Sequence, residues 1–368
     1  MSAVPPVDLR LQHAALADEI ARGFAAVLDN AAFILGPAVK EFEGAYAAFI
    51  GARHCIGVAN GTDALELALR ATGAGAGTEV LLPVNTFIAT ALAVLRAGAR
   101  PVLVDCDPEH HLLDVEQAAA RATKRTRFLL PVHLYGQMAP IEQVEALARS
   151  HDLTVIEDAA QAQGARRKGR AAGACGLAAG TSFYPGKNLG AYGDAGAITT
   201  DSDEIAARLR ALRNYGSEVK YHHPEIGFNS RLDTLQAVVL SAKLKRLAGW
   251  NEARRAAARR YDELLAGLPA VTPPRTLPGN EHVFHLYVVR VPNRDEVVKQ
   301  LNADGIGAQI HYPVPIHLQG AFRQLGLGEG SFPVAERAAR EILSLPIYPE
   351  ITPDQQARVV ESLRRALG

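Results

Sequence analysis

Between residues 52 and 200, short apolar runs, many of them β-branched, alternate with longer stretches in which apolar positions recur at helical spacing. The runs predict strands over 55–59, 80–83, 100–105, 128–134, 154–158, 180–184 and 196–200. The stretches between the earlier runs predict helices over 62–72, 86–97, 115–122 and 141–150. The runs lack strict polar alternation, so both faces of such a sheet need cover, as in a largely parallel sheet sandwiched by helices.

After residue 212 the rhythm changes. A loop rich in His, Gly and Asn over 215–230 leads to a long helix from about 232 to 265, with a break expected at Gly249. The Pro-rich 268–278 stretch reads as a linker. Beyond it the pattern predicts a strand over 282–291, a helix over 294–304, a strand over 306–311 and a closing helix over 354–367. The chain therefore divides into a large domain, 1–248, with an N-terminal helical segment, and a small α/β domain, 249–368. The Ala/Arg-rich 253–260 stretch reads as a helix with a solvated basic face.

Composition narrows the function. Lys plus Arg and Asp plus Glu both number 39 in 368 residues, which removes the broad positive field of a nucleic-acid binder. An anionic ligand must then be held by a local site. No apolar stretch approaches the roughly 20 residues that span a bilayer, so no membrane segment is expected. The start, from Met1 to Asp8, lacks the basic opening and apolar run of a signal peptide. Cys55, Cys106 and Cys175 have no paired spacing and read as reduced thiols of a cytoplasmic protein.

Three segments carry candidate chemistry. In Thr181-Ser182-Phe183-Tyr184-Pro185-Gly186-Lys187-Asn188-Leu189-Gly190 a lysine sits among small residues after a strand. Desolvation lowers the proton affinity of such an amine, as imine chemistry requires. The same segment also suits a phosphate-binding Gly/Lys loop, though without the Walker spacing. In Thr154-Val155-Ile156-Glu157-Asp158-Ala159-Ala160-Gln161 a buried run ends in a carboxylate, either a ligand contact at a strand end or a helix cap. Asn60-Gly61-Thr62-Asp63-Ala64 joins a strand to a helix, so Thr62 is an N-cap or part of an anion cup. The cluster Asp105, Asp107, His110, His111 and Asp114 matches no compact metal motif and reads as a turn rich in capping groups; no metal is expected. His133 either lines a site or is satisfied in the core. The glycines of 169–176 follow no suitable strand, against a dinucleotide fold.

In this order the segments resemble the DegT/DnrJ/EryC1/StrS family of sugar aminotransferases, within the fold-type I, aspartate aminotransferase-like enzymes that use pyridoxal 5′-phosphate (PLP). The resemblance also covers Asn85-Thr86-Phe87-Ile88-Ala89-Thr90, His133-Leu134-Tyr135-Gly136-Gln137, Asn229-Ser230-Arg231-Leu232-Asp233 and His311-Tyr312-Pro313-Val314-Pro315. It implies a mostly parallel seven-stranded sheet covered by helices, with a smaller α/β C-terminal domain. It implies that Lys187 binds PLP covalently, Asp158 pairs with the pyridine nitrogen, and Gln161 reaches the phenolic oxygen. Phe87 stacks on the ring, while Gly61, Thr62 and Ser182 hold the phosphate. Asn229 comes to that phosphate from a neighbouring subunit, so a homodimer with a shared site follows.

By the same resemblance the amino donor is L-glutamate and the acceptor a nucleoside-diphosphate (dTDP or UDP) keto-6-deoxyhexose, aminated at carbon 3 or carbon 4. Tyr221, His222, Arg231, His311, Tyr312 and His317 are the candidate contacts to that acceptor. The competing readings are a sugar dehydratase of the same lineage, in which a histidine replaces the PLP lysine, and a non-catalytic regulator on the same fold.

Overall fold

The computed structural model describes residues 3–368; Met1 and Ser2, at the head of the stretch judged unlike a signal peptide, lie outside the described residues. In chain order the first half comprises α1 (Leu9–Asp29), α2 (Pro37–Ile50), β1 (His54–Val58), α3 (Gly61–Ala71), β2 (Glu79–Pro83), α4 (Ile88–Arg96), β3 (Arg100–Val104), α5 (Val115–Arg121), β4 (Thr126–Leu129), α6 (Ile141–His151) and β5 (Thr154–Asp158). There follow the short strands β6 (Arg166–Arg167) and β7 (Arg170–Ala171), then β8 (Ala178–Ser182), β9 (Gly196–Thr200), α7 (Asp203–Leu212) and α8 (Thr234–Leu265). The last part holds β10 (Asn280–Glu281), β11 (Tyr287–Arg290), α9 (Arg294–Ala303), α10 (Pro333–Glu341), β12 (Ile342–Leu345) and α11 (Pro353–Leu367).

Seven strands form one sheet in the order β1-β9-β8-β5-β4-β2-β3. Only β9 runs against its neighbours, β1 and β8; every other pairing is parallel. β2, fully buried, sits where helices cover both faces. α3 starts sharply because the Asn60 side chain accepts from the Asp63 N–H at 2.8 Å, and it packs its apolar face on β8 and β9. A second core, built from Tyr261, Tyr287, Val289, Leu301, Leu343 and Val359 among others, lies under β11, β12 and α11. No helix among the described residues is long and apolar enough to cross a membrane.

Several expectations are corrected. α8 is one unbroken helix across Gly249. An interior glycine costs a helix only about 1 kcal/mol, and both halves of α8 are anchored, Leu240 and Leu247 in the large-domain core and Ala258 and Tyr261 in the small one. The expected 248/249 division thus falls inside a continuous helix. The 128–134 strand stops at Leu129; Pro131 carries no N–H for a ladder, and the chain continues only as a bridge from Val132 to Asp158. The 282–291 strand begins at Tyr287, since Phe284 adopts φ 43° and stacks its ring on His282 at 3.9 Å. The 306–311 segment makes single bridges, Ile306 to Val4 and Gln309 to Ser344, in place of a strand.

Candidate active site

The C-terminal ends of β1, β2, β5 and β8 open onto a cavity of about 690 Å³, the position where open parallel sheets bind ligands. Each strand end delivers one part of it.

From β1 the chain turns through Asn60 into α3. Asp63 N–H is taken by the Asn60 side chain and Ala64 N–H by the Asn60 carbonyl. The N–H groups of Gly61 and Thr62 are left open at the positive end of the helix dipole. Gly61 is required by close approach: a Cβ there would stand 2.5 Å from the Cβ of Ser182 on β8. The same approach puts the Ser182 hydroxyl against Gly61, and Gly61, Thr62 and Ser182 all line the cavity.

From β5 comes Asp158, only 4% exposed. One carboxylate oxygen accepts from the Thr90 hydroxyl at 2.7 Å and the other from Ala160 N–H at 3.1 Å. Thr90 in turn bonds Thr86 at 2.9 Å. Burial pushes the Asp158 pKa above the usual carboxylate value, and these donors and the Lys187 charge oppose it. Lys187 lies in the turn after β8, its N–H on the Tyr184 carbonyl at 2.8 Å. Burial lowers its pKa to about 8 against the pull of Asp158. Its Nζ makes no hydrogen bond to the described residues, and both Lys187 and Asp158 line the cavity.

Phe87, which caps α4, is 50% exposed in the cavity wall and tilts against Tyr312 at 5.3 Å. Gln161 donates to the Tyr312 hydroxyl at 3.0 Å and accepts from Tyr135 N–H at 2.7 Å. His311 bonds Ser344 at 2.8 Å, and burial holds its pKa down at about 4. Gly61, Thr62, Phe87, Asp158, Gln161, Ser182, Lys187, His311 and Tyr312 are thus gathered around one space.

Five candidates are not. His317 is buried, with Nε2 on Glu336 at 2.9 Å and its ring edge-on to Phe332 at 4.8 Å. Glu336 also accepts the N–H groups of Gly330 and Phe332, so His317 braces a core turn and does not face the cavity. Tyr221 and His222 stand exposed on the 215–230 loop, as does Asn229. Arg231 bonds the Asn214 side chain at 3.1 Å and covers the Tyr215 ring at 5.4 Å. These four lie outside the cavity of their own chain.

His133 is a satisfied core residue. Its Nδ1 accepts from Ala139 N–H at 3.1 Å, which leaves Nε2–H to donate to Glu157 at 2.7 Å. Asp105, Asp107 and Asp114 are engaged by backbone N–H groups, of α10, of the 109–112 turn and of α5 respectively. Among the described residues no group of three His, Cys, Asp or Glu could hold a metal.

Nothing in the 85–90 segment singles out Thr90; only the fold shows it holding Asp158. Thr90→Val is expected to leave the fold intact at a cost of about 1 kcal/mol. Without the donor the Asp158 proton affinity rises, and turnover is expected to fall roughly tenfold with the thermal midpoint nearly kept. Steady-state kinetics and a melting curve check this.

The family model for the DegT/DnrJ/EryC1/StrS aminotransferase family matches residues 14–364. A pleiotropic regulatory protein of Geobacillus stearothermophilus is 48% identical over 98% of this chain and 97% of its own. The dTDP-3-amino-3,4,6-trideoxy-α-D-glucose transaminase of Streptomyces venezuelae is 47% identical over 98% of this chain and 95% of its own. The crystal structure of S. venezuelae DesV in complex with a ketimine intermediate superposes with a TM-score of 0.97, at 47% identity, covering 99% of this chain and 98% of that one.

Proposed function

Because the chain belongs to the DegT/DnrJ/EryC1/StrS aminotransferase family, we propose that it holds PLP on Lys187 and transfers an amino group from L-glutamate to a nucleoside-diphosphate (dTDP or UDP) keto-6-deoxyhexose at carbon 3 or carbon 4. The observation that carries this reading is that the Lys187 amine and the Asp158 carboxylate line one cavity with an anion cup at its edge. The donor set fits the cofactor in each part: two open N–H groups and a hydroxyl for a phosphate, a buried carboxylate for a ring nitrogen, and a half-exposed aromatic for a ring face.

When bound, PLP supplies an electron sink for the charge left on a carbon that loses a proton. Gly61, Thr62 and Ser182 would hold its phosphate, Phe87 its face, Gln161 its phenolic oxygen and Asp158 its ring nitrogen. Lys187, with a pKa near 8, is suited to take a proton from the donor α-carbon and return it elsewhere near neutral pH. Thr90 and Ala160 fix the Asp158 oxygens so that the carboxylate meets the ring without reorienting. His311 and Tyr312 would face the acceptor sugar.

Asn229, Tyr221, His222 and Arg231 would serve the cavity of a second copy in a homodimer. Exposed apolar side chains on the same loop, with Ile226 at 92% and Tyr221 at 80%, support such cover. The formal charge of zero and the unpaired cysteines support a cytoplasmic enzyme without a nucleic-acid partner. Lys187 itself weighs against a dehydratase, and the filled set of catalytic positions weighs against a non-catalytic regulator.

The test is to incubate the PLP-loaded protein with glutamate and a panel of dTDP- and UDP-keto sugars, and to solve each product by NMR. An aminated sugar with matching 2-oxoglutarate is the expected result. A protein that binds PLP but aminates no member of the panel, and leaves glutamate unchanged, overturns the reading.

A further inference from the structure

We propose that the crevice between the 108–111 loop and the 272–275 segment is a second ligand site, which takes a compact polyanion: a small metabolite carrying phosphate or several carboxylates. Its volume is about 400 Å³, within the range of small-molecule sites. It is distinct from the catalytic cavity, since Thr62, Ser182, Asp158 and Lys187 line only the latter; Leu286 is in the wall of both.

Three guanidiniums converge on the crevice against two acids, Glu109 and Glu341. Arg275 comes from the Pro-rich linker, Arg290 from β11 and Arg337 from α10. Glu109 is the one acid in the wall, and it is bonded to Arg275 at 2.8 Å. Arg290 makes a long ion pair with Glu341 at 3.8 Å, and Arg337 forms no ion pair among the described residues. Beside these guanidiniums the buried Nδ1 of His111 has no hydrogen-bond partner. Burial first, and then Arg290, hold the His111 pKa down at about 4, so the ring is neutral beside the guanidiniums. Pro273, Pro274 and Val288 add apolar walls, which lower the local dielectric and strengthen the attraction between an anion and the guanidiniums.

The inference does not rest on the proposed transamination. Its test is isothermal titration calorimetry of the PLP-loaded protein with pyrophosphate and, separately, with citrate, so that phosphate and carboxylate sources are told apart. At least one is expected to bind, and Arg337→Glu is expected to weaken that binding tenfold or more. Arg337 is exposed, so this change tests charge without touching the core; Arg290→Gln, checked by melting curve, is the second variant and should weaken the same anion. If neither anion binds at millimolar concentration, or if the binding seen is unaltered by Arg337→Glu and Arg290→Gln, the site is refuted.

Discussion

Lys187→Ala is expected to slow the glutamate half-reaction by about 10⁴-fold or more, because in the proposed mechanism one residue supplies both covalent attachment and the mobile proton. Borohydride treatment of the PLP-loaded wild type should label the peptide containing Lys187, and the variant should give no labelled peptide. The amine has a measurable signature of its own. Its pKa, near 8 when folded, lies below the ordinary 10.5, so between those values the unfolded chain binds more protons than the folded one. Stability of the PLP-free protein therefore rises with pH through that window on account of this group, and the penalty is complete below about pH 8. Lys187→Met is expected to be more stable than wild type at pH 7, with the gap closing by about pH 10.5. Denaturant titrations of both proteins across that range measure it; a gap independent of pH contradicts the burial of this amine.

Asp158→Asn removes the charge proposed to face the ring nitrogen while keeping the shape. Turnover is expected to fall by about 10³-fold, roughly 4 kcal/mol of transition-state stabilisation, with KM for glutamate changed far less. The amide can still accept from Thr90 and sheds the cost of burying a carboxylate, which burial has already pushed toward its neutral form. The thermal midpoint should therefore hold or rise. A variant that unfolds, or one with near-normal turnover, would show that Asp158 is part of the scaffold and not opposite the ring.

The strands over 154–158 and 196–200 appear in the structure with the boundaries read from the sequence, and the other central strands differ by a few residues. Their apolar runs are local, and burial on both faces of a sheet leaves a continuous signature in the chain. The same holds for the segments around Gly61, Asp158 and Lys187, where residue type and strand-end position together limit the chemistry. Other features lacked a local mark. α1, α7, α10 and β12 were not delineated, and β12 becomes a strand only by pairing with β11, 342–345 against 287–290.

Histidine roles needed the tertiary structure most of all. His133 and His317 look alike in sequence to His311, yet the first two bond Glu157 and Glu336 in the interior, and of the three only His311 faces the cavity. Thr90 meets Asp158 across 68 positions of chain, and Tyr135 meets the His311 carbonyl across 176. The sequence by itself determined the class of fold and the chemical types at the strand ends, because periodicity and local residue chemistry act over a few neighbours. Strand order decided which of those residues share a space, since a pairing between distant segments is fixed by packing of the whole sheet and leaves no period in the chain to read.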